Sequence, residues 1–120
     1  AMQFYHLTFM VRDLEKSMAF YQELAELHVV RRFRAGDGEI AFLANGEGET
    51  MIELVCMPGG THFEGKGMTV CFLCDDVSAV LARAMAMGLH PSDLRNPDPQ
   101  SLYFYVYDPN GVSVEFRQKM

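Results

Sequence analysis

The sequence predicts an α+β fold made of two βαβββ modules, and three observations predict it. Residues 6–53 are echoed in register by residues 69–115: Phe72 follows Phe9 by 63 positions, Asp76 follows Asp13 by 63, and Glu115 follows Glu53 by 62. Each copy opens on strand-like alternation that passes into apolar residues at helical spacing. After each helix, clusters of Gly, Pro, Asn and Asp cut the remaining chain into short strand-length runs.

The elements follow in order. Leu7, Phe9 and Val11 alternate with His6, Thr8 and Met10, which predicts a strand with one face apolar. Asp13 suits the N-cap of a helix whose stripe is Leu14, Met18, Tyr21 and Leu24. Runs near 28–34 and 39–44 flank Ala35-Gly36-Asp37-Gly38, a hairpin turn. The run 50–57 ends at Pro58-Gly59-Gly60. The second copy repeats this plan with a strand at 68–74, an N-cap at Asp76, and a stripe of Val77, Val80, Leu81 and Ala84 closed by Gly88. A short strand near 89–94 precedes the polar loop Asn96-Pro97-Asp98-Pro99. Strands at 101–107 and 112–117 meet at the tight turn Asp108-Pro109-Asn110-Gly111. The chain therefore reads as a single domain over 3–120, with module one at 4–57, a linker at 58–67 and module two at 68–117.

Composition narrows the function. The 120 residues are 49% hydrophobic, with nine Phe and five Tyr, enough for one compact core. A net charge of −6 argues against sequence-independent nucleic-acid binding, and no apolar run reaches the length of a membrane span. No charged start followed by an apolar centre marks a signal peptide, and Cys56, Cys71 and Cys74 lack framework spacing, so a reduced cytoplasmic protein is expected. Residues three apart on a strand point to opposite faces, so Cys71 and Cys74 are expected to be unpaired, buried thiols.

His6 on the first strand ahead of Asp13, the Met51-Ile52-Glu53-Leu54 strand, and Asp108-Pro109-Asn110-Gly111 running to Glu115 together resemble the vicinal oxygen chelate superfamily. Its members include glyoxalase I, extradiol dioxygenases and bleomycin resistance proteins. The resemblance covers Phe4 to Arg117 and is closest in pattern to glyoxalase I-like proteins. It implies an open, curved eight-stranded mixed sheet with helices on the convex side, and a homodimer with clefts shared between subunits. It also implies a divalent metal ion (Zn, Ni, Mn or Mg) held by His6, Glu53 and Glu115. Thr69 stands at the fourth ligand position, where many members carry histidine. A neutral hydroxyl replaces imidazole poorly toward zinc or nickel and favours harder ions or lower occupancy.

Alternation places these residues on one face with Met51 and Arg117. A carboxylate within an apolar strand needs a partner, a metal or a proton. Two carboxylates converging on one site need a cation between them. The leading expectation is a glyoxalase I-like lyase acting on a small substrate with adjacent oxygens, such as the hemithioacetal of a 2-oxoaldehyde. Glu115 would be the mobile base, with His6 and Glu53 as metal anchors. Thr69, Arg117, Tyr105 and Met51 are expected to line the substrate cleft. For Arg117 a rim salt bridge is an equal expectation, for Met51 core filling is the commoner fate, and plain amphipathic packing also accounts for the tyrosine row. The rival expectation, from the same resemblance, is a metal-free protein that sequesters a small molecule in that cleft.

Overall fold

The computed structural model describes all 120 residues, Ala1–Met120. The chain divides into two compact units, Ala1–Glu64 and Gly65–Met120. Unit 1 runs β1 (His6–Met10), α1 (Leu14–Glu23), β2 (His28–Ala35), β3 (Gly38–Ala44) and β4 (Met51–Cys56). Unit 2 runs β5 (Thr69–Cys74), α2 (Val77–Ala86), β6 (Arg95–Asp98), β7 (Ser101–Tyr107) and β8 (Ser113–Gln118). Both are βαβββ, as the repeat predicts, and each forms a four-stranded mixed sheet.

The strand orders are β1-β4-β3-β2 and β5-β8-β7-β6. In each unit the first and last strands pair in parallel, which requires a long connection, here the helix and the two strands between them, and the other pairings are antiparallel. The helix covers one face of its own sheet. In unit 1 that face is Phe9, Ala41, Leu43 and Leu54 beneath Met18, Tyr21 and Leu24, all buried. In unit 2 it is Phe104, Val106, Val114 and Phe116 beneath Val77, Val80 and Ala84. Asp13 and Asp76 cap their helices as expected, accepting from the Lys16 and Ala79 amides at 3.0 and 3.2 Å.

The two helices end differently. Gly88, at φ +79°, completes a paired closing motif in which Leu89 N donates to Ala84 O and Gly88 N donates to Met85 O. Unit 1 has no glycine there, and Glu26 takes the left-handed conformation instead, at φ +60°.

Two expectations need correction. The strand placed near 89–94 lies at Arg95–Asp98, overlapping the segment read as a polar loop. The Asn96 side chain causes this, because its amide donates to Asp98 O and Ser101 O and so closes a tight hairpin onto β7. Proline is tolerated at position 97 because β6 is an edge strand. Residue 92 does meet β7, through Ser92 N donating to Tyr105 O and Tyr105 N donating to Ser92 Oγ, but no continuous ladder forms there. The cysteines are free, as expected, yet they are not buried: Cys71 is exposed and Cys56 and Cys74 are half-buried. Cys71 lies on the face of β5 that α2 does not cover.

Candidate functional site

In each unit the sheet face turned away from the helix carries the residues singled out by sequence. On unit 1, alternation puts His6 and Thr8 of β1 on this face, and the parallel register sets Met51 beside His6 and Glu53 beside Thr8. Thr8 Oγ1 donates to Glu53 Oε1 at 2.5 Å and lies 3.1 Å from His6 Nδ1. The nearest His6–Glu53 approach is 3.6 Å, an electrostatic contact too long for a hydrogen bond. Both side chains are largely covered, at 31% and 15% exposure.

The floor around them is apolar. Phe42, the register partner of Glu53, meets the His6 ring edge-on at 5.4 Å. Met51 is buried in one cluster with Phe42 and Ala44, backed by Phe33 and Ile40, which is the core-filling role. Arg31 lies over the Phe33 ring at 4.7 Å. Its neighbour Arg32, on the opposite face, is held by Glu15 and Glu39, and this contact keeps the Glu39 carboxyl below its ordinary range.

On unit 2 the equivalent face brings together Thr69, Glu115, Arg117 and Tyr105, but in different partnerships. Thr69 Oγ1 donates to Ser113 Oγ at 3.1 Å. Glu115, with its side chain only 12% exposed, accepts from Arg117 Nε at 2.8 Å. Arg117 also reaches Ser101 Oγ at 3.3 Å and stacks on the Tyr103 ring at 4.5 Å. Tyr103 and Tyr105 meet edge to face at 5.7 Å. The expected Arg117 ion pair is therefore present.

Cys71 sits opposite Glu115 in the ladder. The residue is exposed, but partial cover over its sulfur, and next the Glu115 carboxylate, push the thiol above its ordinary range. Tyr105 is raised for the same two reasons, desolvation first. Both groups therefore stay protonated at neutral pH and act as neutral hydrogen-bonding groups.

These donors fit a divalent metal poorly. Unit 1 supplies one imidazole and one carboxylate, whereas catalytic metal sites commonly use three protein ligands. In unit 2 Thr69 is engaged with Ser113, and the cation already seated on Glu115 is a guanidinium. No three His, Cys, Asp or Glu side chains come together within either unit.

Sequence reading missed the linking role of Thr8 and the Ser101 and Tyr103 supports of Arg117. The signal for Thr8 was a hydroxyl two residues from His6 on the same strand face. A cavity of about 650 Å³ on unit 1 lies elsewhere. Arg12, Arg34, Cys56 and His62 line it, and none of the expected site residues does. His62 is held there by Arg12 at 2.5 Å and faces Glu64 at 3.7 Å.

Comparison with known proteins gives a family and a fold. The family model described as Glyoxalase/Bleomycin resistance protein/Dioxygenase superfamily matches residues 3–116. The chain is similar to YwbC of Bacillus subtilis (strain 168), with 32% identity over 95% of each chain. It shares its fold with the trypanothione-dependent glyoxalase I of Leishmania major at a TM-score of 0.80 and 23% identity, covering 99% of this chain and 88% of that one. It also shares it with TnmS3, an antibiotic binding protein from Streptomyces sp. CB03234, at a TM-score of 0.76 and 21% identity over 100% and 98% of the two chains.

Proposed function

Because the chain belongs to the glyoxalase/bleomycin resistance protein/dioxygenase superfamily, we propose that it is a metal-free protein binding a small molecule through the polar sheet faces of its modules. The Arg117–Glu115 ion pair carries this reading. It neutralises the carboxylate that would otherwise call for a metal, and a partly buried carboxylate is costly without such a partner. Thr69 adds to it, since its hydroxyl is a weak ligand for borderline ions. On unit 1 the binding group is then His6, with Met51 and Phe42 as apolar support; on unit 2 the binding groups are Thr69, Tyr105 and Arg117. TnmS3, named as an antibiotic binding protein, has the same fold.

Elemental analysis of protein purified without chelator, followed by calorimetric titration with Zn²⁺, Ni²⁺, Mn²⁺ and Mg²⁺, tests the proposal. Metal far below one equivalent and no saturable heat are expected. Stoichiometric metal overturns it.

The second reading is a glyoxalase I-like lyase acting on a hemithioacetal, with His6, Glu53 and Glu115 on a divalent ion and Glu115 as base. The proximity of His6 and Glu53 favours it. Turnover of methylglyoxal with glutathione above background, dependent on an added ion, would move the assignment there.

We also place the protein in the cytoplasm as a homodimer. Its three free cysteines support the first and its membership of the superfamily the second. No helix is long and apolar enough to cross a membrane. Light scattering after size-exclusion chromatography reports the dimer.

A further inference from the structure

We propose that Thr8 is a positioning residue. Its hydroxyl locks the His6 ring in the tautomer protonated at Nδ1, leaving Nε2 as an acceptor for a ligand that presents an O–H or N–H donor. The ligand class rests on the metal-free reading above; the tautomer does not.

A proton inventory gives the assignment. A threonine hydroxyl has one proton to donate, and an ionised carboxylate only accepts. At 2.5 Å from Glu53 Oε1, the Thr8 proton is committed to that oxygen. The contact of 3.1 Å between Thr8 Oγ1 and His6 Nδ1 must then be filled by a proton on the ring nitrogen. His6 and Glu53 approach no nearer than 3.6 Å, so the hydroxyl is the link between them. The order is Nδ1–H to Thr8 Oγ1, and Thr8 O–H to Glu53.

The backbone makes this arrangement rigid. Thr8 and Glu53 are direct partners in the parallel ladder of β1 and β4, and His6 lies two residues earlier on the same face. The ring itself is wedged between Phe42 at 5.4 Å, edge-on, and Tyr5 at 5.3 Å. Nε2 makes no hydrogen bond within the unit, while the side chain stays 31% exposed. A neutral imidazole oriented through one nitrogen presents the other as its acceptor.

Unit 2 lacks this device. Thr69 replaces His6, Cys71 replaces Thr8, and the equivalent carboxylate is turned onto Arg117. A thiol is a weak donor, so the relay cannot be rebuilt there.

The test is long-range ¹H–¹⁵N correlation on the full chain with ¹⁵N-labelled histidine, recorded where His6 is neutral and assigned by the loss of signals in His6→Gln. Wild type should show a protonated Nδ1 and a bare Nε2. Thr8→Val should move both shifts toward an average, and Thr8→Ser should restore them. A protonated Nε2 or an averaged ring in wild type overturns the tautomer, without relying on any variant to fold. Unchanged shifts in a folded Thr8→Val overturn the role of Thr8.

Phenol and anisole serve as probes of ligand class. Movement of Nε2 by phenol alone supports a donor ligand, while movement by both or by neither removes it. Added Zn²⁺ that saturates Nε2 at stoichiometric levels would sink the metal-free reading and leave the tautomer standing.

Discussion

Opposite its glutamate, unit 1 carries Thr8 and unit 2 carries Cys71; two residues beyond the glutamate, Val55 stands where Arg117 stands. The two frames share strand order, register and helix caps. The faces that their helices leave uncovered differ in chemistry. Unit 1 orders a hydrogen-bonded His–Thr–Glu chain on an aromatic floor, whereas unit 2 closes an Arg–Glu ion pair among tyrosines. A duplicated backbone therefore fixes where a side chain points, and a single exchange such as valine for arginine decides which partner a carboxylate takes.

The comparison can be broken first at its shared base. Leu54 and Phe116 are twin positions beneath the two helices, each almost fully buried. Leu54→Ala should cost about 2–5 kcal/mol and Phe116→Ala about 3–5 kcal/mol, read from urea unfolding midpoints. If only one of them destabilises the protein, the two modules do not share core architecture.

The caps come next. Asp13→Ala and Asp76→Ala should each cost roughly 1 kcal/mol by the same measurement, because each removes one bond to an otherwise orphaned helix amide.

The ion pair sharpens the contrast. In Thr69→His/Arg117→Val the unit 2 face gains an imidazole two residues from Cys71, and Glu115 loses its guanidinium, so three donors (imidazole, thiol and carboxylate) share one face. Elemental analysis should show zinc retained by this variant and absent from wild type. Equal metal in both would remove Arg117 as the group that occupies Glu115.

The smallest expected effect concerns Cys71. Because its thiol lies above the ordinary range, the thiolate forms only at more alkaline pH, and the midpoint of iodoacetamide alkylation should be displaced upward accordingly. Glu115→Gln removes a negative neighbour and releases Arg117, and both changes favour the thiolate. Alkylation at pH 8 should then be faster than in wild type, and an unchanged rate would exclude Glu115 as a cause.

Much of this was legible in the residues. The repeat and the alternation in β1, β4, β5 and β8 placed His6, Glu53, Thr69 and Glu115 on strands, with Glu115 and Arg117 on one face. What alternation could not show was partnership. Whether Glu115 meets a metal or Arg117 depends on a rotamer, and the Ser101 and Tyr103 contacts that hold Arg117 come from another strand. β6 was misplaced because its pairing is set by the Asn96 side chain rather than by any apolar period. The usual burial of free thiols predicts a buried Cys71, yet it is exposed on the uncovered face of its strand.

Parallel pairing of the first and last strand of each module also governs how the chain folds. Thr8 and Glu53 are separated by 45 positions, and Thr69 and Ser113 by 44. Neither ladder can form until a loop of that size has closed, and the entropy of closure depends only weakly on length. The two modules therefore face nearly equal topological barriers, so any difference in their folding rates would report the local hairpins, β2–β3 against the short, proline-bearing β6–β7.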